Sequence, residues 1–346
     1  MEDLNGQSKP LSLCCQHCSA IDGLHTCKGC KVVRYCSKDH QELDWRGHKK
    51  DCKAIRKAAA KVDKEEHTLR TKPPDMFEPP NVFEEQVGHF WGILSTRPYM
   101  RARCEKVNAI TEVISYDAVT SALDQTMDML RLCRGDNLGM RYGIPSHLLR
   151  LGRDQTCYDF IKWYATTGQE GGYDWGNMEL PFLDVQNADM LESVDYIDTE
   201  YAQLNFLVPL ALLKIKLLLA IRVIAEGVDT LRSPRNLPPE LFDEVQNRLL
   251  HDATSGHANG KARIEVIDAI LEKQIERLYK TIDRVNKWFW ESLLDPRDLL
   301  DNMPGYISFG SIEETQSVLQ LNIDAWQETP GALEMIFSLN CENISL

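Results

Sequence analysis

The chain has few cysteines outside one short stretch, and its first residues lack the pattern by which a secretion leader is predicted. Seven of its eleven cysteines precede residue 53, and the other four are scattered singly. The first fourteen residues are acidic and then polar, without a basic segment followed by a long apolar run. Clustered cysteines without a secretion signal indicate metal ligands rather than a disulfide framework. We therefore expect an intracellular protein, in the nucleus or the cytoplasm.

Positive charge is scarce over most of the sequence. The formal net charge is −13, but residues 1–61 carry +5 and the remainder carries −18. An acidic surface repels nucleic-acid phosphates, so we expect no direct nucleic-acid contact from the larger part of the chain. The small basic part includes a run of cations on a predicted helix: Lys49, Lys50, Lys53, Arg56 and Lys57. The pattern favours a solvated helix flank, with a nucleic-acid-associated transcriptional regulator as the alternative function.

A recognisable catalytic constellation is also missing from residues 83–346. The histidines of this part are isolated from one another in the sequence, at His89, His147, His251 and His257. Its apolar residues instead recur at helical spacing, as in Val107, Ile110 and Val113. The fold class predicted is mostly α, with an irregular helical domain whose first hairpin has the length of a tetratricopeptide unit. We expect this domain not to be an enzyme.

The most apolar stretch, residues 201–227, is long enough to span a membrane. It nevertheless contains Lys214 and Lys216 near its middle, and each central lysine costs roughly 3 kcal/mol of insertion. We predict a buried central helix and no membrane partner. The oligomeric state is not encoded in any pattern that we find.

What the sequence has in excess is a dense group of soft metal ligands between residues 15 and 52. Six cysteines and two histidines follow the spacing Cys15-x2-Cys18-x8-Cys27-x2-Cys30-x5-Cys36-x3-His40-x7-His48-x3-Cys52. Thiolate and imidazole are the ligands that zinc prefers, four to a tetrahedral structural site. The spacing therefore predicts two structural Zn²⁺ ions as cofactors, each contributing about 10 kcal/mol to the folding of a segment with little else to bury.

The eight ligands can be divided between two sites in two simple ways. Sequential pairing joins the first four ligands and then the last four. Interleaved pairing takes the following two sets: Cys15, Cys18, Cys36 and His40 for zinc 1, and Cys27, Cys30, His48 and Cys52 for zinc 2. Both divisions use Cys-x2-Cys pairs and helical i,i+4 pairs, so spacing alone leaves them open.

This stretch resembles a MYND-type zinc finger. The resemblance covers all eight ligand positions, the Tyr35-Cys36 dipeptide and the Gln41-x3-Trp45-x2-His48 run. It implies a small cross-braced fold, and with it the interleaved pairing. It also implies a protein-interaction adaptor that takes proline-containing peptides on a helix face formed by Gln41 and Trp45. Lys28 stands where peptide-binding members can carry a small hydroxyl residue.

Some SET-domain lysine methyltransferases also contain a MYND finger, which makes a methyltransferase a further alternative. Those enzymes have SET sequence before the finger and an Asn-His-x-Cys-type cofactor motif after it. Here only fourteen residues precede the finger. The later segment most similar to the cofactor motif, Leu339–Asn343, lacks the histidine. We therefore expect no methyltransferase activity.

The predicted organisation has four parts. Residues 1–14 form a disordered tail, residues 15–52 the finger, residues 53–82 a helix with a Pro-rich linker, and residues 83–346 the helical domain. This domain faintly resembles the downstream region of uncharacterised fungal MYND proteins, and that resemblance implies no activity.

Overall fold

The computed structural model describes residues 10–73, 81–169, 172–227, 257–301 and 304–344. Within them the chain forms eleven α-helices and one two-stranded β-sheet, so the protein is mostly α. Most of the predicted disordered tail (residues 1–9) and most of the Pro-rich linker (residues 74–80) lie outside the described residues.

The chain forms two compact units. One contains Leu11–His147 together with Asp174–Phe182, and the other contains Leu148–Tyr173 and Leu183–Leu346. These units differ from the division predicted from the sequence. The finger and the first helical hairpin belong to one unit because the helix that begins in the finger continues far beyond it and packs along the hairpin.

The first unit begins with the finger. Strands β1 (His25–Thr26) and β2 (Arg34–Tyr35) pair antiparallel, with His25 opposite Tyr35. Helix α1 (Lys38–Thr71) then runs for 34 residues without interruption. The helix continues through Gly47, because its buried face extends past this residue, through His48 and Cys52 to Leu69.

The remainder of the first unit is helical. Helix α2 (Val82–Glu85) is a single turn, and α3 (Arg97–Thr111) and α4 (Tyr116–Leu132) form the predicted hairpin. The Ser115 hydroxyl caps α4 by accepting the backbone N–H of Ala118 at 3.1 Å. The buried faces of α1, α3 and α4 provide the apolar core on which the finger rests.

Helix α5 (Ile144–Arg150) contains the division between the units. The second unit consists of α6 (Asp154–Ala165), α7 (Leu204–Gly227), α8 (His257–Val285), α9 (Phe289–Leu294), α10 (Ile312–Gln327) and α11 (Ala332–Ile344). Helix α7 packs mainly against α8 and also against α6, α10 and α11. A long irregular segment separates α6 from α7.

Helix α7 is the centre of the second unit. Its segment Leu204–Val223 is long and apolar enough to cross a membrane, but 83% of the most apolar window is buried inside the protein. Both lysines of this helix are buried as well, and they make polar contacts with the unit itself. The burial is that of a core helix, the environment predicted for this stretch.

Candidate metal centre

The finger positions its ligands with a small hairpin and the first turns of α1. The Cys27-x2-Cys30 pair lies in the loop of the hairpin, and Cys36 directly follows β2. Ser37 caps α1 by accepting the backbone N–H of His40 at 3.1 Å, which fixes the start of the helix at Lys38, two residues after Cys36. The Tyr35 hydroxyl donates to the Asp44 carboxylate at 2.6 Å and ties β2 to the same helix.

The first cluster brings together Cys15, Cys18, Cys36 and His40, with all ligand atoms within 4.8 Å of one another. The Cys36 Sγ lies 3.1 Å from His40 Nδ1, and the two sulfurs of Cys18 and Cys36 are 3.6 Å apart. A tetrahedral zinc site with Zn–S bonds of ~2.3 Å separates its sulfurs by ~3.8 Å. The cluster therefore has the dimensions of a single zinc site.

The second cluster brings together Cys27, Cys30, His48 and Cys52. The Cys30 Sγ is 3.4 Å from His48 Nε2, and the sulfurs of Cys27 and Cys52 are 4.0 Å apart. All four residues are buried, whereas in the first cluster only Cys15 is buried and Cys18 is exposed. The grouping in the structure is thus the interleaved one, and each cluster offers the four ligands of one zinc ion.

The electrostatics of the clusters fit a cation. Burial raises the pKa of the Cys15 thiol, but backbone hydrogen bonds from Cys36, Cys18 and His17 outweigh it and lower that pKa to about 6. In the second cluster, burial and the charges of Cys27 and Cys52 raise the pKa of Cys30 to about 12. A full set of thiolates at this spacing therefore needs a positive ion among them, as a zinc site provides. Such a closed site gives zinc a structural role.

Three other soft residues of the finger lie outside both clusters. Cys14 is half-buried next to Cys15, and His25 is an exposed residue of β1. The His17 ring lies 4.9 Å from the His40 ring, so it covers a ligand without belonging to the ligand set.

The predicted peptide-binding residues lie on the first two turns of α1. Gln41 is half-buried, and 40% of Trp45 is exposed. The Trp45 ring meets the edge of His48 at 6.1 Å between centroids. Trp45 therefore contacts His48, a ligand of the second cluster, and still exposes an aromatic surface to solvent.

Sequence reasoning missed the residues that hold the finger against the α3–α4 hairpin. The Arg34 guanidinium donates to both carboxylate oxygens of Asp117, at 2.6 and 3.1 Å. The Ser115 hydroxyl donates to the Val32 carbonyl at 2.5 Å, and Gln16 Nε2 donates to the Ile114 carbonyl at 3.2 Å. Ser115 is recognisable in the sequence as a helix-capping residue. No sequence pattern predicts its contact with the finger, which lies more than 80 residues earlier.

A second missed residue is Gly29, between Cys27 and Cys30. A Cβ at this position would lie 2.6 Å from the Cys52 sulfur. Only glycine leaves room for the fourth ligand of the second cluster, and a glycine between two paired cysteines was the available signal.

A family model described as MYND finger matches residues 15–52. Residues 15–52 are a MYND finger. Three curated relatives are similar to this part of the chain: 46% identical over 44 residues to a hypoxia-inducible factor prolyl hydroxylase of Caenorhabditis elegans, 42% over 49 residues to Tudor domain-containing protein 1 of Oryzias latipes, and 51% over 39 residues to programmed cell death protein 2 of Mus musculus.

These matches cover 12%, 14% and 11% of this chain, and only 6%, 4% and 11% of the respective relatives. The likeness therefore concerns the MYND finger alone. No solved structure is significantly similar to the chain. The MYND finger is a zinc-binding protein-interaction module, and it is not itself catalytic.

Proposed function

We propose that the protein is a non-enzymatic adaptor that binds proline-containing segments of partner proteins on the Gln41–Trp45 face of its MYND finger. The observation that carries this proposal is the exposure of Trp45. An indole that served only to cover the zinc site would be buried, whereas 40% of this residue remains open. An exposed indole beside an amide suits an extended proline segment, which offers apolar rings and free carbonyls.

The comparisons support a modular role. The three relatives carry names of different kinds, and each is similar to this chain only over its MYND finger. A MYND finger therefore occurs as a separate module in proteins of different kinds. In this chain, the contacts of Arg34 and Ser115 hold it against a helical hairpin. We propose an intracellular location, in the nucleus or the cytoplasm, where its thiols stay reduced.

Peptide binding can be tested with matched variants of α1. A labelled library of proline-containing and proline-free peptides is titrated into the full zinc-loaded chain, and affinity is read by fluorescence anisotropy. We expect Trp45→Ala to weaken proline-peptide binding by tenfold or more, the usual effect of removing an aromatic anchor. Gln41→Ala should weaken it by less, because an amide contributes one or two hydrogen bonds.

Leu43→Ala is the control, because Leu43 is exposed on the same helix but points about 160° away from Trp45 around the axis. It should bind like the wild type, and all variants should retain two zinc ions. The proposal would be contradicted if proline-free peptides bound as tightly as proline-containing ones, or if Trp45→Ala left the affinity unchanged.

A further inference from the structure

One face of α1 carries a row of cations that the described protein leaves without counterions. We define the basic row as Arg46, Lys50, Lys53, Lys57 and Lys64, all of which are exposed. At ~100° per residue, these five positions fall within about 60° of one another around the helix axis. At ~1.5 Å per residue, the row is about 27 Å long. The helix is continuous over this length, so the row is straight.

The basic row faces away from the protein. The buried residues of α1 lie on the opposite side of the helix, at His48, Cys52, Ile55, Ala58 and Val62. Asp51 and Asp63, the acidic residues between Arg46 and Lys64, lie more than about 90° from the centre of the row.

None of the five cations forms an ion pair within the described residues, whereas the neighbouring Lys61 contacts Glu105 at 2.6 Å. Five like charges held in line repel one another, and a bound polyanion would offset this repulsion.

The surroundings of the basic row decide which polyanion fits. Between Arg46 and Lys64 α1 exposes no large apolar side chain; the exposed uncharged residues there are Gly47, Ala54 and Ala60. A docked acidic protein segment would need an apolar anchor, which this face does not offer. The face also has no aromatic ring on which unpaired bases could stack, as single-stranded nucleic acid requires.

We propose that the basic row of α1 binds the phosphate backbone of double-stranded nucleic acid without reading its base sequence. Lysine and arginine supply such binding through phosphates alone, by releasing condensed counterions. Small residues beside the row allow the duplex to approach the helix closely. The acidity of the rest of the chain does not prevent the contact, because charges beyond ~8 Å are screened at physiological salt.

This proposal goes beyond peptide binding and is independent of it. Trp45 lies about 80° or more from every member of the basic row around the axis, so the two surfaces can be occupied separately. Failure of one proposal therefore leaves the other standing.

The first measurement is the salt dependence of duplex binding by the full zinc-loaded chain. A fluorescent mixed-sequence DNA duplex and an RNA duplex of the same length are titrated at several salt concentrations. Five phosphate contacts predict a slope of log K against log salt of about −4.5. Both duplexes should bind, since the contact is to phosphates, and the preference between them identifies the biological source. A wild-type chain without saturable duplex binding at about 50 mM salt overturns the proposal.

The second measurement compares two triple variants that remove the same charge. Lys50→Ala/Lys53→Ala/Lys57→Ala neutralises the centre of the row and retains a strong helix former. We expect at least a tenfold loss of affinity at about 50 mM salt and a slope shallower by about 3. Lys273→Ala/Lys280→Ala/Lys287→Ala removes three exposed lysines of the second unit and should change affinity less than twofold. Equal losses in the two variants would show a non-specific charge effect and reject the row as the site.

Two further arms keep the test decisive. Lys50→Arg/Lys53→Arg/Lys57→Arg preserves charge and should bind duplexes as the wild type does; loss of binding in this variant rejects a backbone contact. Anionic phosphatidylserine vesicles and polyglutamate are titrated in parallel. If either binds through the row as tightly as the duplexes do, the partner is a membrane or an acidic protein and the proposal is wrong.

Discussion

At the residue scale, the finger depends on positions that are not ligands. Gly29 leaves space for the Cys52 sulfur, and Ser37 sets the start of α1 so that His40 reaches the first cluster. Arg34 connects the β-hairpin of the finger to Asp117 of α4. Ligand spacing was visible in the sequence, and it predicted the two zinc sites. The geometric conditions for those ligands to meet depend on contacts between atoms, which spacing does not report.

Gly29 gives the sharpest prediction at this scale. Gly29→Ala places a methyl group 2.6 Å from the Cys52 sulfur, closer than non-bonded carbon and sulfur atoms pack, so the second cluster must open. We expect the zinc content to fall from two ions to one per chain, with a lower melting temperature. Zinc is measured by atomic emission after gel filtration.

Gly47→Ala is the matched control, because no atom lies within 4 Å of its added Cβ. This variant should keep both zinc ions and gain about 0.5–1 kcal/mol, since alanine is the better helix former. If Gly29→Ala also kept two ions, the packing against Cys52 would not be a requirement of the site.

At the scale of elements, the two clusters differ because they use different parts of α1. The first cluster takes His40 from the first turn of the helix, beside the exposed Cys18. The second cluster takes His48 and Cys52 from the buried face, under the hairpin loop. Access of a chelator or an oxidant to the sulfurs therefore differs between the sites, although both have closed sets of four ligands.

Zinc release should consequently occur in two phases. With excess chelator and a chromogenic zinc indicator, we expect one ion to leave quickly from the first cluster and one to leave slowly from the second. Cys18→Ser should remove the fast phase and leave the slow one. Cys14→Ser should keep both phases, because Cys14 lies outside the two clusters. A single phase in the wild type would contradict this assignment of accessibility.

The elements also show where sequence reasoning stops. The hairpin formed by α3 and α4 was predictable from apolar periodicity and from the capping residue Ser115. Helix α1 continues through Gly47, because tertiary packing along Ile55 and Val62 outweighs the low helix propensity of one glycine. The finger is joined to the α3–α4 hairpin by the ion pair of Arg34 and Asp117. These two residues lie far apart in the sequence, so no local pattern predicts their contact.

At the scale of the whole molecule, stability depends on polar groups buried around α7. Lys216 donates to Asp154 at 2.6 Å and to the Leu149 carbonyl at 3.0 Å. Lys214 instead donates to the Met190 carbonyl at 2.5 Å, and its ammonium lies 5.3 Å from the centre of the Tyr158 ring. The sequence identified both lysines as reasons against a membrane span. Their partners lie on segments far from α7 in sequence and became apparent only in the structure.

Burial lowers the pKa of Lys214 to about 7, although the carboxylates of Glu192 and Asp189 partly oppose the shift. An unfolded lysine has a pKa of about 10.4. Between about pH 7 and pH 10 the unfolded chain therefore binds more protons than the folded chain, and the free energy of unfolding rises with pH.

Lys214 alone should contribute about 2 kcal/mol of added stability between about pH 6.5 and pH 8.5. Urea unfolding followed by circular dichroism measures this dependence. In Lys214→Met we expect that part of the dependence to disappear, with the largest gain of stability at the lower pH, where the wild type buries a charged ammonium. Lys287→Met alters an exposed lysine and should keep the dependence of the wild type. If Lys214→Met titrated as the wild type does, other groups would govern the stability of the protein in this pH range, and Lys214 would carry its proton throughout.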